Sequence, residues 1–185
     1  MEEDAIRRIF LRQPAYKSSS SQGLRPAAVL VPIEADRGVW LTRRSPLLLT
    51  HAGQISFPGG KIDQEDVSAE AAALREAQEE IGLDPAQAEI LGRLPDYSTV
   101  TGFHIASVVA LVPAHTKFQA QTMEVGEAFT LPFTDLLNPD YPIRRNALLA
   151  GVERSFWVWP HPDYVIWGAT AAILRQLALR LRAAV

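Results

Sequence analysis

The stretch LREAQEEIGL, residues 74 to 83, sets three carboxylates, Glu76, Glu79 and Glu80, beside a single arginine, Arg75. At about 100° per residue of α-helix, Glu79 falls about 60° to one side of Glu76 and Glu80 about 40° to the other. The acids therefore share one narrow face. Val67, Ala73, Leu74, Ala77 and Ile81 lie on a separate arc, which gives the helix an apolar face for the core. Arg75 precedes Glu79 by one turn and is expected to fork two hydrogen bonds to its carboxylate. One arginine cannot neutralise three acids. The remaining repulsion is most simply relieved by divalent cations, and carboxylate oxygens are the ligands that Mg2+ and Mn2+ prefer. Toward the helix N-terminus the acid face carries only Ala72 and Ala69, which leaves room for a loop, an ion or a substrate.

The plain alternative is a solvated helix face, the usual role of a charge run. The tetrapeptide FPGG at 57 to 60, shortly before the helix, argues for the chemical reading. Its glycines permit backbone conformations closed to other residues and let main-chain groups approach an ion or a phosphate closely.

The elements that must hold this helix are legible around it. The helix is predicted from near Ser68 to Ile81, with Gly82 as its C-cap and Pro85 beyond. Residues 26–34 and 38–44 are predicted as two strands joined by a turn at Asp36 to Gly38, and 46–60 as a long loop. Further strands are expected at 88–94, 103–113, 117–124, 127–132 and 155–159, with a helical turn at 134–138. An amphipathic helix is expected at 169–185 and a short one at 5–11. Residues 17–23, KSSSSQG, read as a flexible connector. The pattern is α/β (α+β), a mixed sheet covered by helices.

The chain has 185 residues, 48% hydrophobic and 21% charged, with a net charge of −3. That suits one soluble domain and gives no basic stripe for nucleic acid. Cysteine is absent, which excludes thiolate chemistry and Cys-based zinc sites. No segment approaches the roughly 20 apolar residues of a membrane span, and the acidic start is unlike a signal peptide, so a cytoplasmic location is expected. The four histidines have no metal-ligand spacing and are expected at the surface or satisfied in the core. The tryptophans, all but Trp40 within 157–167, are expected in the core or in a homodimer contact.

Residues 60 to 83 resemble the box of the Nudix hydrolases: Gly, five residues, Glu, seven residues, then Arg-Glu-aliphatic-x-Glu-Glu-x-Gly-aliphatic. Arg75, Glu76, Ala77, Glu79, Glu80, Gly82 and Leu83 match its second half. The first half departs: Gly60 lies fifteen residues before Arg75 instead of fourteen, and Glu65 or Asp66 stands for the first Glu. The preceding segment, LTRRSPLLLTHAGQISFPGG at 41 to 60, resembles that of the coenzyme A pyrophosphatases of this superfamily at Thr42, Arg44, Ser45, Gly53 and Phe57 to Gly60. Trp40 replaces a leucine of that pattern, and Leu49 replaces its inner arginine. The likeness extends over residues 25 to 180.

The resemblance implies a Nudix α/β/α sandwich over residues 24–185, preceded by the helix and connector of 1–23. It implies hydrolysis of a diphosphate linked to another group, with Mg2+ or Mn2+ as cofactor and a small molecule as partner. Coenzyme A or an acyl derivative would yield 3′,5′-ADP and 4′-phosphopantetheine. ADP-ribose or NADH stays open as substrate because of Leu49, and an inactive nucleotide-binding module is the reading from another class. Glu76, Glu79, Glu80 and the Gly60 carbonyl are then the expected metal ligands, with Arg75 as orienter. Glu124 is the candidate for a further ligand or general base, with Glu127 as its neighbour and Glu76 as the alternative base. Arg43, Arg44, Gln54 and Ser56 are the candidates for substrate contact.

Overall fold

The computed structural model describes residues 1–12, 23–120, 123–149 and 151–183. Strand β1 (Arg25–Glu34) runs through the centre of a mixed seven-stranded sheet. It is antiparallel to β2 (Gly38–Arg44) and β4 (Gly59–Lys61), and parallel to β6 (Phe103–Leu111). Outside β2 lie β3 (Ile55–Ser56) and β7 (Val125–Leu131), and outside β6 lies β5 (Glu89–Ser98).

Both faces of this sheet are covered, which is why β1 and β6 read as nearly unbroken apolar runs. Helix α2 (Ala69–Ile81) packs Ala72, Ala73, Ala77 and Ile81 against Ala28, Leu30, Ala106 and Val108. On the other face, helices α1 (Glu3–Leu11) and α4 (Gly168–Arg182) bring Ile6, Phe10, Leu174, Leu177 and Leu181 to Val31, Ile33, Leu41 and Val109. Alternate residues of one strand thus feed two cores. A separate three-stranded antiparallel sheet, order β10-β9-β8, is made by β8 (Ile143–Leu149), β9 (Val152–Trp159) and β10 (Ile166–Trp167). A short helix, α3 (Phe133–Leu136), follows β7. This is the α/β/α arrangement expected from the sequence. Among the described residues no helix is long and apolar enough to cross a membrane.

Several boundaries differ from expectation. The strand expected at 117–124 does not form: 117–120 are irregular, and Met123 and Glu124 sit in a turn before β7. Phe118 is instead buried edge-on against the Trp40 ring at 4.8 Å, and the Gln119 amide donates to the Ile81 carbonyl, closing the end of α2. The long loop at 46–60 contains β3 and β4, and β8 was not anticipated at all. The connector expected at 17–23 lies, save Gly23, outside the described residues. Trp40 and Trp159 are core residues, whereas Trp157 is only half-buried and Trp167 is exposed.

Candidate active site

Helix α2 is fixed at both ends by local chemistry. Ser68 Oγ accepts from the Ala71 amide at 3.1 Å, and Gly82 closes the helix at φ 71°, where a side chain would be strained. Between these caps Glu76, Glu79 and Glu80 project from one side, but their surroundings grade from dry to wet. Glu80 is 8% exposed, the Glu76 side chain 18% and the Glu79 side chain 55%.

Strand β4 sets this gradient. The Gly59 amide donates to Glu80 Oε2 at 3.2 Å. A Cβ on Gly60 would collide with the Glu76 carboxylate, lying 2.6 Å from its carbon. The second glycine of FPGG is therefore required by the closeness of the acid beneath it. The space above the acids is not open as expected: Ala72 is fully buried and Ala69 half-buried. The small side chains let the sheet approach the helix closely, and Val67, expected on the apolar arc, is exposed ahead of the helix.

Arg75 does not fork onto Glu79. Its Nε and Nη2 donate to the two carboxylate oxygens of Asp66 at 3.1 and 3.0 Å, and Nη2 also reaches the Lys61 carbonyl at 3.2 Å. Nη1 donates to Glu76 Oε1 at 3.1 Å and meets Glu79 only at 3.4 Å. The fork prefers Asp66 because that carboxylate is held in place by the Asp63 amide and is almost fully covered, whereas Glu79 is free to turn in water. Arg75 holds the Asp66 carboxyl below its ordinary pKa. Asp66, and not Glu65, is thus the acid that locks the arginine, which in turn holds Glu76.

Burial pushes Glu80 up to about 7, against the pull of the Gly59 amide and of Arg44, with Glu76 and Glu124 adding to the rise. Burial also raises Glu76, against Arg75. Arg44 donates to Glu124 Oε2 at 3.3 Å, and the Ser45 amide donates to the Glu124 carbonyl at 2.7 Å. The structure thus brings Glu76, Glu80, Arg44 and Glu124 into one electrostatic neighbourhood, with Glu79 at its wet edge.

Arg43 turns elsewhere. It lies 3.9 Å from Glu127 and, with Gly53, Gln54, Tyr164 and Trp167, lines a cavity of about 300 Å³. Ser56 is hydrogen-bonded to Thr42, Oγ to Oγ1, at 3.1 Å. Tyr164 was marked by no motif, and Trp167, within the segment of family likeness, was expected in the core or a dimer contact; both line this cavity through the fold. His104 is satisfied in the core by Asp96 at 3.0 Å and Ser98 at 3.2 Å.

Among the described residues no three acidic or histidine side chains already stand as a metal cage, because Glu76 is turned to Arg75 and Glu80 to Gly59. The donor set nevertheless fits a hard divalent ion. It offers hard oxygen donors, among them the desolvated carboxylates of Glu76 and Glu80, under a strand whose glycine lets the backbone come close to Glu76.

A mixed sheet between helices, with an acidic helix pressed under a glycine strand, is an arrangement able to bring a divalent ion to a phosphate anhydride. A NUDIX domain model matches residues 23–150, and the chain belongs to the Nudix family. It is 39% identical over 183 residues to the uncharacterized Nudix hydrolase NudL of Klebsiella pneumoniae strain 342, covering 98% of this chain and 95% of that one. Against NudL of Escherichia coli K12 the identity is 37% over 181 residues, covering 97% and 94%. Among solved structures, DR0079 from Deinococcus radiodurans is similar with a TM-score of 0.56 at 15% identity, covering 89% of this chain and 86% of that one. The Ap4A hydrolase of C. elegans gives 0.51 at 19%, covering 60% and 83%. These two likenesses concern the fold alone. The protein is a Nudix pyrophosphatase, in a family that generally works with divalent ions such as Mg2+ or Mn2+.

Proposed function

We propose that this enzyme hydrolyses the diphosphate bond of coenzyme A or its acyl derivatives, giving 3′,5′-ADP and (acyl-)4′-phosphopantetheine. The observation that carries this reading is the folding of residues 41–60, the segment resembling coenzyme A pyrophosphatases, directly against the acids. It supplies Arg44 opposite Glu124, Gln54 paired with the Arg44 backbone, and Gly59 and Gly60 over Glu80 and Glu76.

Glu76, Glu79, Glu80 and the Gly60 carbonyl would hold Mg2+ or Mn2+. Bound there, the ion offsets the charge of the diphosphate and acidifies water at neutral pH. Arg75, locked by Asp66, keeps Glu76 from rotating away. Arg44 exchanges its pairing with Glu124 for the substrate diphosphate, and the released Glu124 carboxylate takes the proton of the attacking water. The water oxygen bonds to one phosphorus as the bridging P–O bond breaks, and the leaving phosphate carries away the electron pair. Glu76 is the alternative base, a partly desolvated carboxylate whose pKa burial raises.

A second reading has its own observation. Leu49, at the position of the subgroup's inner arginine, projects fully into solvent and offers the diphosphate no cation. That favours another nucleoside diphosphate derivative such as ADP-ribose or NADH. Incubating the purified chain and Mg2+ or Mn2+ with coenzyme A, acetyl-coenzyme A, ADP-ribose and NADH, and resolving the products, decides between them. Coenzyme A turnover to 3′,5′-ADP is expected. Turnover of only ADP-ribose or NADH would favour the second reading, and none at all would make the protein a nucleotide-binding module.

A further inference from the structure

The cavity beside Arg43 has a wall that the diphosphate chemistry does not use. Its wall is formed by the segment that links β9 to β10 and carries Asp163 and Tyr164, and by Trp167 at the end of β10. Both rings are braced from behind. Tyr164 stacks on Phe129 with centroids 4.2 Å apart and has His161 at 4.8 Å. Trp167 meets Phe156 edge-on at 5.6 Å and remains 36% exposed.

Opposite the rings stand groups able to read a polar edge. Gln54 lies with its amide oxygen 2.9 Å from His51 Nδ1, which leaves its NH2 as the donor for a ligand, and Asp163 adds an exposed carboxylate as acceptor. Arg43 supplies an exposed cation at the rim. A volume of about 300 Å³ is at the lower end of small-ligand clefts and exceeds what one planar base needs.

None of the acids lines the cavity, but its Gly53–Gln54 wall is paired with Arg44. The Arg44 amide donates to the Gln54 carbonyl at 2.9 Å and the Gly53 amide to the Arg44 carbonyl at 3.2 Å, so Gln54 is one strand spacing, about 4.8 Å, from the residue that faces Glu80 and Glu124. Arg43, the next residue along β2, points to the other face, so Gln54 lies between the two sides, and a group attached to a diphosphate at Arg44 would reach the cavity past Gln54.

We propose that this cavity is the subsite for the planar base of the nucleotide half of the substrate, stacked on Trp167 and Tyr164 and edge-bonded by Gln54 and Asp163. The inference rests on the reading of the substrate as a nucleoside diphosphate derivative and assigns its two halves. A pantetheine arm is a flexible aliphatic chain with no ring to stack, whereas a base gains from any exposed aromatic face. The pantetheine side then lies away from Trp167.

The test is calorimetric titration of the full-length protein, with Mg2+ present, by 3′,5′-ADP and separately by 4′-phosphopantetheine, neither of which has a diphosphate to cleave. Trp167→Ala is expected to weaken 3′,5′-ADP by roughly tenfold and to leave 4′-phosphopantetheine unchanged. Trp167→Phe keeps a stacking face and should retain most of the nucleotide affinity, while abolishing the tryptophan fluorescence change that the nucleotide induces in the native protein. Gln54→Ala should weaken the nucleotide by a smaller factor. The assignment is overturned if the native protein does not bind 3′,5′-ADP, if Trp167→Ala binds it equally well, if the fluorescence change survives in Trp167→Phe, or if only 4′-phosphopantetheine is weakened. Native protein that cleaves coenzyme A yet meets one of these conditions refutes the cavity alone. Native protein that leaves coenzyme A intact but loses nucleotide affinity in Trp167→Ala refutes the substrate alone.

Discussion

Glu80 should make the metal-free protein pay for its own active site, and Glu80→Gln should reveal how much. Burial lifts this carboxyl from an ordinary 4.5 to about 7. At 1.36 kcal/mol per unit of pKa, that rise corresponds to about 3 kcal/mol. The sign follows from proton binding. A carboxyl with a raised folded-state pKa holds its proton more tightly in the native state, so its contribution to stability is intact below about pH 4.5. It is lost as pH rises through 7. Glutamine keeps an oxygen for the Gly59 amide but carries no charge, so the variant escapes this loss.

Chemical unfolding of both proteins in EDTA should therefore give similar stabilities at pH 5, with the variant pulling ahead by about 2 to 3 kcal/mol at pH 8. That corresponds to roughly 5–10 °C in melting temperature for a domain of this size. The lowered pKa of Asp66 acts in the opposite sense, with stability lost only as pH falls below the ordinary carboxylate range, and it cancels between the two proteins. Adding Mg2+ or Mn2+ at pH 8 should stabilise the native protein more than the variant and narrow the gap. A difference in stability that does not change between pH 5 and 8 would refute the reasoning that Glu80 is a desolvated carboxylate awaiting a cation.

Three further outcomes follow from the geometry. Glu79→Gln should cut turnover by roughly two orders of magnitude or more while leaving the unfolding midpoint unchanged, because the side chain is mostly in water; a native rate would remove this carboxylate from the mechanism. Gly60→Ala should lower kcat by about a hundredfold, since displacing Glu76 by even 1 Å has that order of effect; steady-state kinetics with circular dichroism tests it, and unchanged kcat would mean that the glycine is dispensable. Asp66→Ala should cost about tenfold in turnover by loosening Arg75, with Asp66→Glu recovering part of it; equal rates for all three forms would show that the lock is not needed.

The sequence made α2 readable because everything that defines it is local: the Ser68 and Gly82 caps, the alanine and isoleucine arc, and the acids at fixed turns. Strands β1 and β6 were equally plain, since burial on both faces leaves unbroken apolar runs. The hairpin of β8 and β9 was half hidden because Arg144, Arg145 and Arg154 face water and carry no alternation of apolar residues. Residues 117–120 misled because Phe118 is apolar for a reason unrelated to strand pairing, namely its contact with Trp40. At the site, the acidic face was evident, but Arg75's choice of Asp66 over Glu79 was not. That choice depends on how the turn after β4 closes over the helix, a non-local event that i,i+4 spacing cannot report. The separation of Arg43 from Arg44 was foreshadowed by strand alternation, yet the partners on each side, Glu127 and Glu124, come from the distant β7 region.

Manganese binding to the purified protein, measured by calorimetry at pH 8 for the native chain and for Glu76→Gln, Glu79→Gln and Glu80→Gln, tests most directly that this helix face exists to hold divalent ions. Saturable binding that weakens at least tenfold in each variant is the predicted result. Native-like affinity in all three variants, or no saturable binding to the native chain, would contradict it.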